Sequence, residues 1–129
     1  MERKLERKDI AGYLPYIPSV RVLNTKDTKN GGKIKRLLGC NFYSNTFWIE
    51  DEHALKEKDF KIVLHPPSDL YRTITNNGKE IVPIDVVLES GLQGYDLYDF
   101  YNSLKIDYRN LIEKNLAISV YDLQENPYK

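Results

Sequence analysis

The 129 residues carry nineteen Lys and Arg against nineteen Asp and Glu, with 41% hydrophobic and 29% charged residues. This is the length of one domain (1–129, mainly β over 1–65 and mainly α over 66–129, with a shared core) and a folded composition, neither collagen-like nor disordered. Zero formal net charge excludes a global field that steers polyanions, the single Cys40 excludes an internal disulfide or a multi-Cys zinc site, and no apolar run approaches the ~18 residues of a membrane span.

The charged stretch Met1-Glu2-Arg3-Lys4-Leu5-Glu6-Arg7-Lys8 lacks the apolar core of a secretory signal, so a cytoplasmic location is expected. It reads as a frayed helical turn. Asp9 then suits the N-cap of a short helix over 10–13, and Pro15 and Pro18 make 14–18 extended. Val20, Val22 and Leu23 around an outward Arg21 predict a strand over 19–24. Asn30-Gly31-Gly32 predicts a hairpin loop, because these residues reach positive φ cheaply. Further strands are expected over 33–40, 46–49 and 60–64, with a turn around Phe42 and Tyr43. Together they predict an antiparallel meander, a small curled sheet or half-barrel.

The hydrophobic period changes at Pro66. Short helices are predicted over 68–75, 84–90, 97–104 and 108–115, with Asn76-Asn77-Gly78 ending the first. Pro83 starts and Gly91 closes the second. Leu97, Phe100, Tyr101 and Leu104 recur at helical spacing behind an Asp96 cap. Asp107 caps the last helix, Asn115 fits its left-handed end, and Leu116 would fold back on Leu111. The expected fold class is therefore α+β, a meander followed by three to four short helices. Its core would hold Trp48, Ile62, Leu64, Leu97, Phe100, Leu104 and Ile112.

Three stretches, Ile10-Ala11-Gly12-Tyr13-Leu14-Pro15-Tyr16, Val63-Leu64-His65-Pro66-Pro67-Ser68-Asp69-Leu70 and Leu111-Ile112-Glu113-Lys114-Asn115-Leu116-Ala117-Ile118, resemble in order and spacing a group of small prophage and mobile-element proteins of Bacteroides-type bacteria. Members of that group read "AGYLPYGL", "ILRPLSDL" and "LIEKGLAID". Here Ile17-Pro18 replaces Gly-Leu and Asn115 replaces Gly. The resemblance implies a genomic setting and no chemistry.

None of the usual nucleotide-binding, zinc-protease or serine-hydrolase motifs occurs. Asn30-Gly31-Gly32-Lys33 offers N–H groups suited to a phosphate, but between strands, where a hairpin turn is the simpler reading. His53 lies among Glu50, Asp51, Glu52, Glu57 and Asp59, a set that reads first as a solvated loop. His65 closes a strand beside Ser68 and Asp69, and Cys40 reads as a small core residue. No catalytic constellation, cofactor or metal is expected.

Net zero charge hides opposed halves, +4 over 1–65 and −4 over 66–129. Tyr is abundant; Tyr98 falls off the apolar stripe of the helix over 97–104, and Tyr95 is expected in the loop just before its Asp96 cap. The expected function is therefore that of a non-enzymatic interaction or accessory protein of a phage or mobile element. It would use Tyr95, Tyr98, Asp96 and Asp99 to bind a protein partner that offers Arg or Lys, a second copy included. The alternative is a weak nucleic-acid-binding factor using Arg21, Lys26, Lys29, Lys33, Lys35 and Arg36 beside Phe47 and Trp48.

Overall fold

A computed structural model describes residues 5–41, 43–52 and 54–129. The chain runs through α1 (Arg7–Ile10), then β1 (Ser19–Val22), β2 (Ile34–Asn41), β3 (Thr46–Ile49) and β4 (Phe60–Leu64). It continues through β5 (Ile74–Asn76), β6 (Lys79–Ile81), α2 (Pro83–Ser90), α3 (Gly94–Ser103) and β7 (Ala117–Ser119). The class is α+β, as the two hydrophobic periods require. No helix among the described residues is long and apolar enough to cross a membrane. Residues 1–4, Phe42 and His53, and the expectations that fall on them, lie outside the described residues.

At the N-terminal side the Asp9 carboxylate accepts the Glu6 backbone N–H at 2.9 Å, so it caps from the third helical position rather than from before the helix. Residues 14–16 form a 3-10 turn instead of an extended run. Pro15 stands at the start of that turn, where a missing N–H goes unnoticed. Ile17 ends it in the left-handed region at φ 48°.

Alternation places β3 and β4 to the residue, but the expected curled meander does not form. The segment after β3 folds back along its outer edge, where Phe47 and Leu55 exchange backbone hydrogen bonds at 2.7 and 3.0 Å. With that edge occupied, β4 pairs with β1, and β7 adds to the far side of β4 in parallel. The result is an open mixed sheet in the order β3-β2-β1-β4-β7.

The helices also depart from the expected pattern. One, α1, precedes the sheet, so the helices do not all follow it. The predicted helix over 68–75 is a 3-10 turn, Pro67–Tyr71, followed by the β5–β6 hairpin. Asn77 and Gly78 turn that hairpin at φ 51° and 80°, the pair of positive angles that a two-residue type I′ turn needs. The helix predicted over 108–115 is broken by Asn110, itself left-handed at φ 59°. One turn survives. Asp107 still caps it, accepting from the N–H groups of Leu111 at 2.8 Å and Ile112 at 2.9 Å. Asn115 closes it at φ 62°, with Leu116 N–H donating to Leu111 O and Asn115 N–H to Ile112 O, the double bond of a Schellman ending.

The packing is divided rather than shared by all the expected core residues. Ile62 and Leu64 join Tyr13, Leu37 and Phe47 beneath one sheet face. Leu104 joins Ile74 and Ile106 in a separate cluster against which Phe100 and Tyr101 pack. Leu97, Phe100 and Ile112 are only half-buried. Trp48 is 53% exposed, against expectation. Its cross-strand partner is Gly39, and a Cβ there would stand 3.0 Å from the indole. The ring lies over the bare glycine and shields the strand backbone instead of entering the core. On the opposite face Tyr128 is buried with Val63 and Val120; its hydroxyl accepts from Ser19 N–H and donates to Val63 O.

Candidate docking groove

Helix α3 begins after Gln93, which keeps an extended backbone, so Asp96 lies in the first turn rather than at the cap. There its charge still complements the helix dipole. Two side-chain stripes run along the helix. Leu97, Phe100, Tyr101 and Leu104 form the inward one. Tyr95, Tyr98, Asp99 and Asn102 repeat the same i, i+3, i+4, i+7 spacing and line a groove of about 920 Å³. Its other wall comes from Ala11, Gly12 and Pro15, and one end from Tyr108 and Arg109. Asp96 is exposed nearby but does not line the groove.

Aromatic packing fixes the floor. The Tyr98 ring sits 5.4 Å from Tyr108 and 6.4 Å from Tyr101, and Tyr108 sits 5.9 Å from the buried Tyr13. Burial pushes the Tyr13 phenol far above its ordinary range, and its O–H donates to Ile106 O. Tyr108 O–H donates to Asn102 Oδ1 at 3.0 Å, which orients the amide and leaves its Nδ2 toward segment 11–12. A Cβ on Gly12 would stand 2.5 Å from that Nδ2, so glycine is what lets the two walls meet at the floor. Across the rim, Tyr16 O–H donates to Asp99 at 2.6 Å, and this bond raises the phenol pKa.

Charge around the groove is uneven. Lys8 has Glu6 at 3.2 Å, and Arg109 has the buried Asp9 at 3.5 Å. From Glu80 to Leu104 the sequence holds Glu80, Asp85, Glu89, Asp96 and Asp99 and no basic residue. Among the described residues none of these five forms an ion pair. The groove thus has aromatic walls and one carboxylate, Asp99, that forms no ion pair among the described residues, with Asp96 exposed beside it. Asn102 and Tyr108 were not among the expected site residues; the second α3 stripe, read from Tyr95 at helical spacing, is the signal that points to Asn102.

The basic stretch is arranged differently. Lys35 meets Asp51 at 2.8 Å and Arg36 meets Glu50 at 2.7 Å. These hydrogen bonds hold both carboxylates below, and both bases above, their ordinary pKa. The loop does cradle an anion, and the anion is Glu52. Its carboxylate accepts from Lys29 N–H, Asn30 N–H and Asn30 Nδ2 at 2.7 to 3.0 Å. Arg21 is half-buried beside residues 122–127, apart from the exposed Lys26, Lys29 and Lys33. Phe47 is buried, so of the two rings expected beside these bases Trp48 alone is exposed.

His65 is buried at the end of β4, with Nδ1 2.9 Å from Asp69 Oδ2, which also accepts from Tyr121 O–H at 2.8 Å. Burial lowers the His65 pKa, and Asp69 only partly opposes this. Lys105, buried without an ion pair among the described residues, lies 5.0 Å over the Tyr128 ring, and desolvation lowers its pKa. The half-buried Cys40 thiol is free and packs against the main cluster. Among the described residues no three His, Cys, Asp or Glu side chains are grouped to hold a metal. No family model, no curated protein and no solved structure matches the chain.

Proposed function

We propose that the chain is a non-enzymatic protein-interaction domain, an accessory of a phage or mobile element, whose α3 groove docks a basic protein partner. The supporting observation is a pair of tyrosines, 93% and 53% exposed, beside Asp96 and Asp99, whose carboxylates form no ion pair among the described residues. Exposed aromatic area next to uncompensated charge is the composition of a docking surface. An arginine of the partner would find an ion pair and a ring face in one place. The mobile-element setting rests on the three motifs that resemble prophage proteins. A second copy offers chiefly Lys26 and Lys33, because Lys35 and Arg36 are held at home.

The test is fluorescence polarisation with labelled arginine-containing peptides, on wild type and on Tyr95→Ala/Tyr98→Ala. Saturable binding that the double variant loses supports the reading; equal binding by both chains ends it. Light scattering on the same proteins decides whether the partner is a second copy, which would show as a dimer mass that the variant loses.

A further inference from the structure

We infer that the segment taken by this groove is extended, proline-containing and flanked by an arginine; the inference rests on the docking reading above and names its ligand. The phenols of Tyr95 and Tyr98 and the Nδ2 of Asn102 make no hydrogen bond among the described residues. The groove therefore offers donors, and it needs a ligand rich in acceptors. A helical ligand has most of its carbonyls bonded internally and can meet these groups only through its side chains. A polyproline II segment presents free carbonyls and, at each proline, has no N–H to strand against a wall of rings.

Dimensions agree. The stripe from Tyr95 to Asn102 runs seven residues along α3, about 10 Å at the helical rise. One turn of polyproline II covers about 9 Å. The Tyr95 ring at one end of the stripe and the Asn102 amide at the other are thus spaced for one turn of ligand, laid against Ala11, Gly12 and Pro15.

Charge selects the flank. The bases at the groove are engaged, Lys8 by Glu6 and Arg109 by Asp9, whereas Asp99 accepts only a neutral phenol and Asp96 forms no ion pair among the described residues. A guanidinium can pair with the Asp99 carboxylate while lying on the Tyr95 or Tyr98 face, which suits Arg better than Lys.

The experiment uses the full chain and three labelled peptides of equal length. They are a proline-rich peptide with one terminal Arg, the same peptide with Glu in place of Arg, and an alanine-rich helical peptide with one Arg. The first is expected to bind saturably and the other two about tenfold more weakly, the scale of one aromatic or charged contact. Tyr95→Ala, at a side chain almost wholly in solvent, is expected to weaken the first about tenfold. Asp99→Asn still accepts the Tyr16 hydroxyl, and is expected to erase the preference for Arg over Glu. Preference for the helical peptide, still lost in Tyr95→Ala, would overturn the extended ligand and leave the docking reading standing. Failure of all three peptides, or binding indifferent to both substitutions, would overturn both. Binding of a neutral oligosaccharide in their place would assign the tyrosines to a sugar and overturn the peptide.

Discussion

The β2–β3 ribbon and the α2–α3 helices carry comparable charge and handle it in opposite ways. In the ribbon every strong cluster has its counter-charge in the next turn: Arg36 with Glu50, Lys35 with Asp51, the loop N–H groups with Glu52. In the helices four carboxylates, Asp85, Glu89, Asp96 and Asp99, face water with no base in their own stretch of chain. Charge density along a sequence therefore does not locate the charge a partner can use. The most basic stretch is closed on itself at Lys35, Arg36 and its loop N–H groups, and the acidic stretch, less conspicuous in the sequence, is open.

The largest expected effect tests whether the open surface stands on a firm base. Leu104 is buried beneath α3, and Leu104→Ala should cost about 2–5 kcal/mol in denaturant titration. A loss below about 0.5 kcal/mol, within the range of ordinary surface changes, would mean that α3 is not anchored on this stripe.

Next comes the closed side. Glu52→Ala removes the acceptor of the Lys29 and Asn30 N–H groups. It should cost about 1–3 kcal/mol, the scale of lost bonds to a charged group. The same change should raise retention on heparin, because the loop then has unbalanced bases and free N–H groups. Unchanged retention would erase the contrast between the two regions.

The seam between sheet and helices should show in the pH dependence. Burial holds the His65 pKa below its ordinary 6.5 in the folded chain. As pH falls through that value the unfolded chain takes up a proton that the folded chain refuses. The contribution is thus complete above about pH 6.5 and is lost below it, at no more than about 1.4 kcal/mol per pH unit. His65→Gln should flatten this slope below about pH 6.5; parallel slopes would mean that the ring accepts its proton without strain. The smallest change is a gain. Ile17 holds φ 48°, in the left-handed region that favours glycine. Left-handed geometry costs a side chain about 1–2 kcal/mol, and glycine gives back part of that in unfolded-state entropy, so Ile17→Gly should add about 0.5–1 kcal/mol.

Local punctuation was the most legible part of the fold. Pro83 and Gly91 bound α2, Asn115 is left-handed, and β3 and β4 fall where alternation puts them. Alternation assigns a face and not a neighbour, so the position of β4 beside β1 was hidden. It depended on Leu55 reaching back to the β3 edge. Asn77-Gly78 was a hairpin signal read as a helix end, and Asn110 broke a helix that Tyr108, Leu111 and Ile112 had suggested. At the groove Tyr95 and Tyr98 were visible as residues left over from a filled stripe. Asn102 shares their helical spacing, but its pairing with Tyr108 is not legible, because that hydrogen bond and the closeness of Gly12 exist only once distant segments pack. Trp48 was misplaced because hydrophobicity outranked the glycine across the strand.

The cradle around Glu52 can be put in terms of competition. A carboxylate tethered in the same chain, 22 residues beyond Asn30 and just after β3, competes at an effective concentration set by the fold rather than by the solution. A free phosphate or sulfate must exceed that standing level before it displaces the side chain. The loop geometry of an anion receptor is thus complete, and its ligand is carried in the same chain. A single substitution at position 52 would turn the built-in counter-ion into a vacancy open to anions from solution.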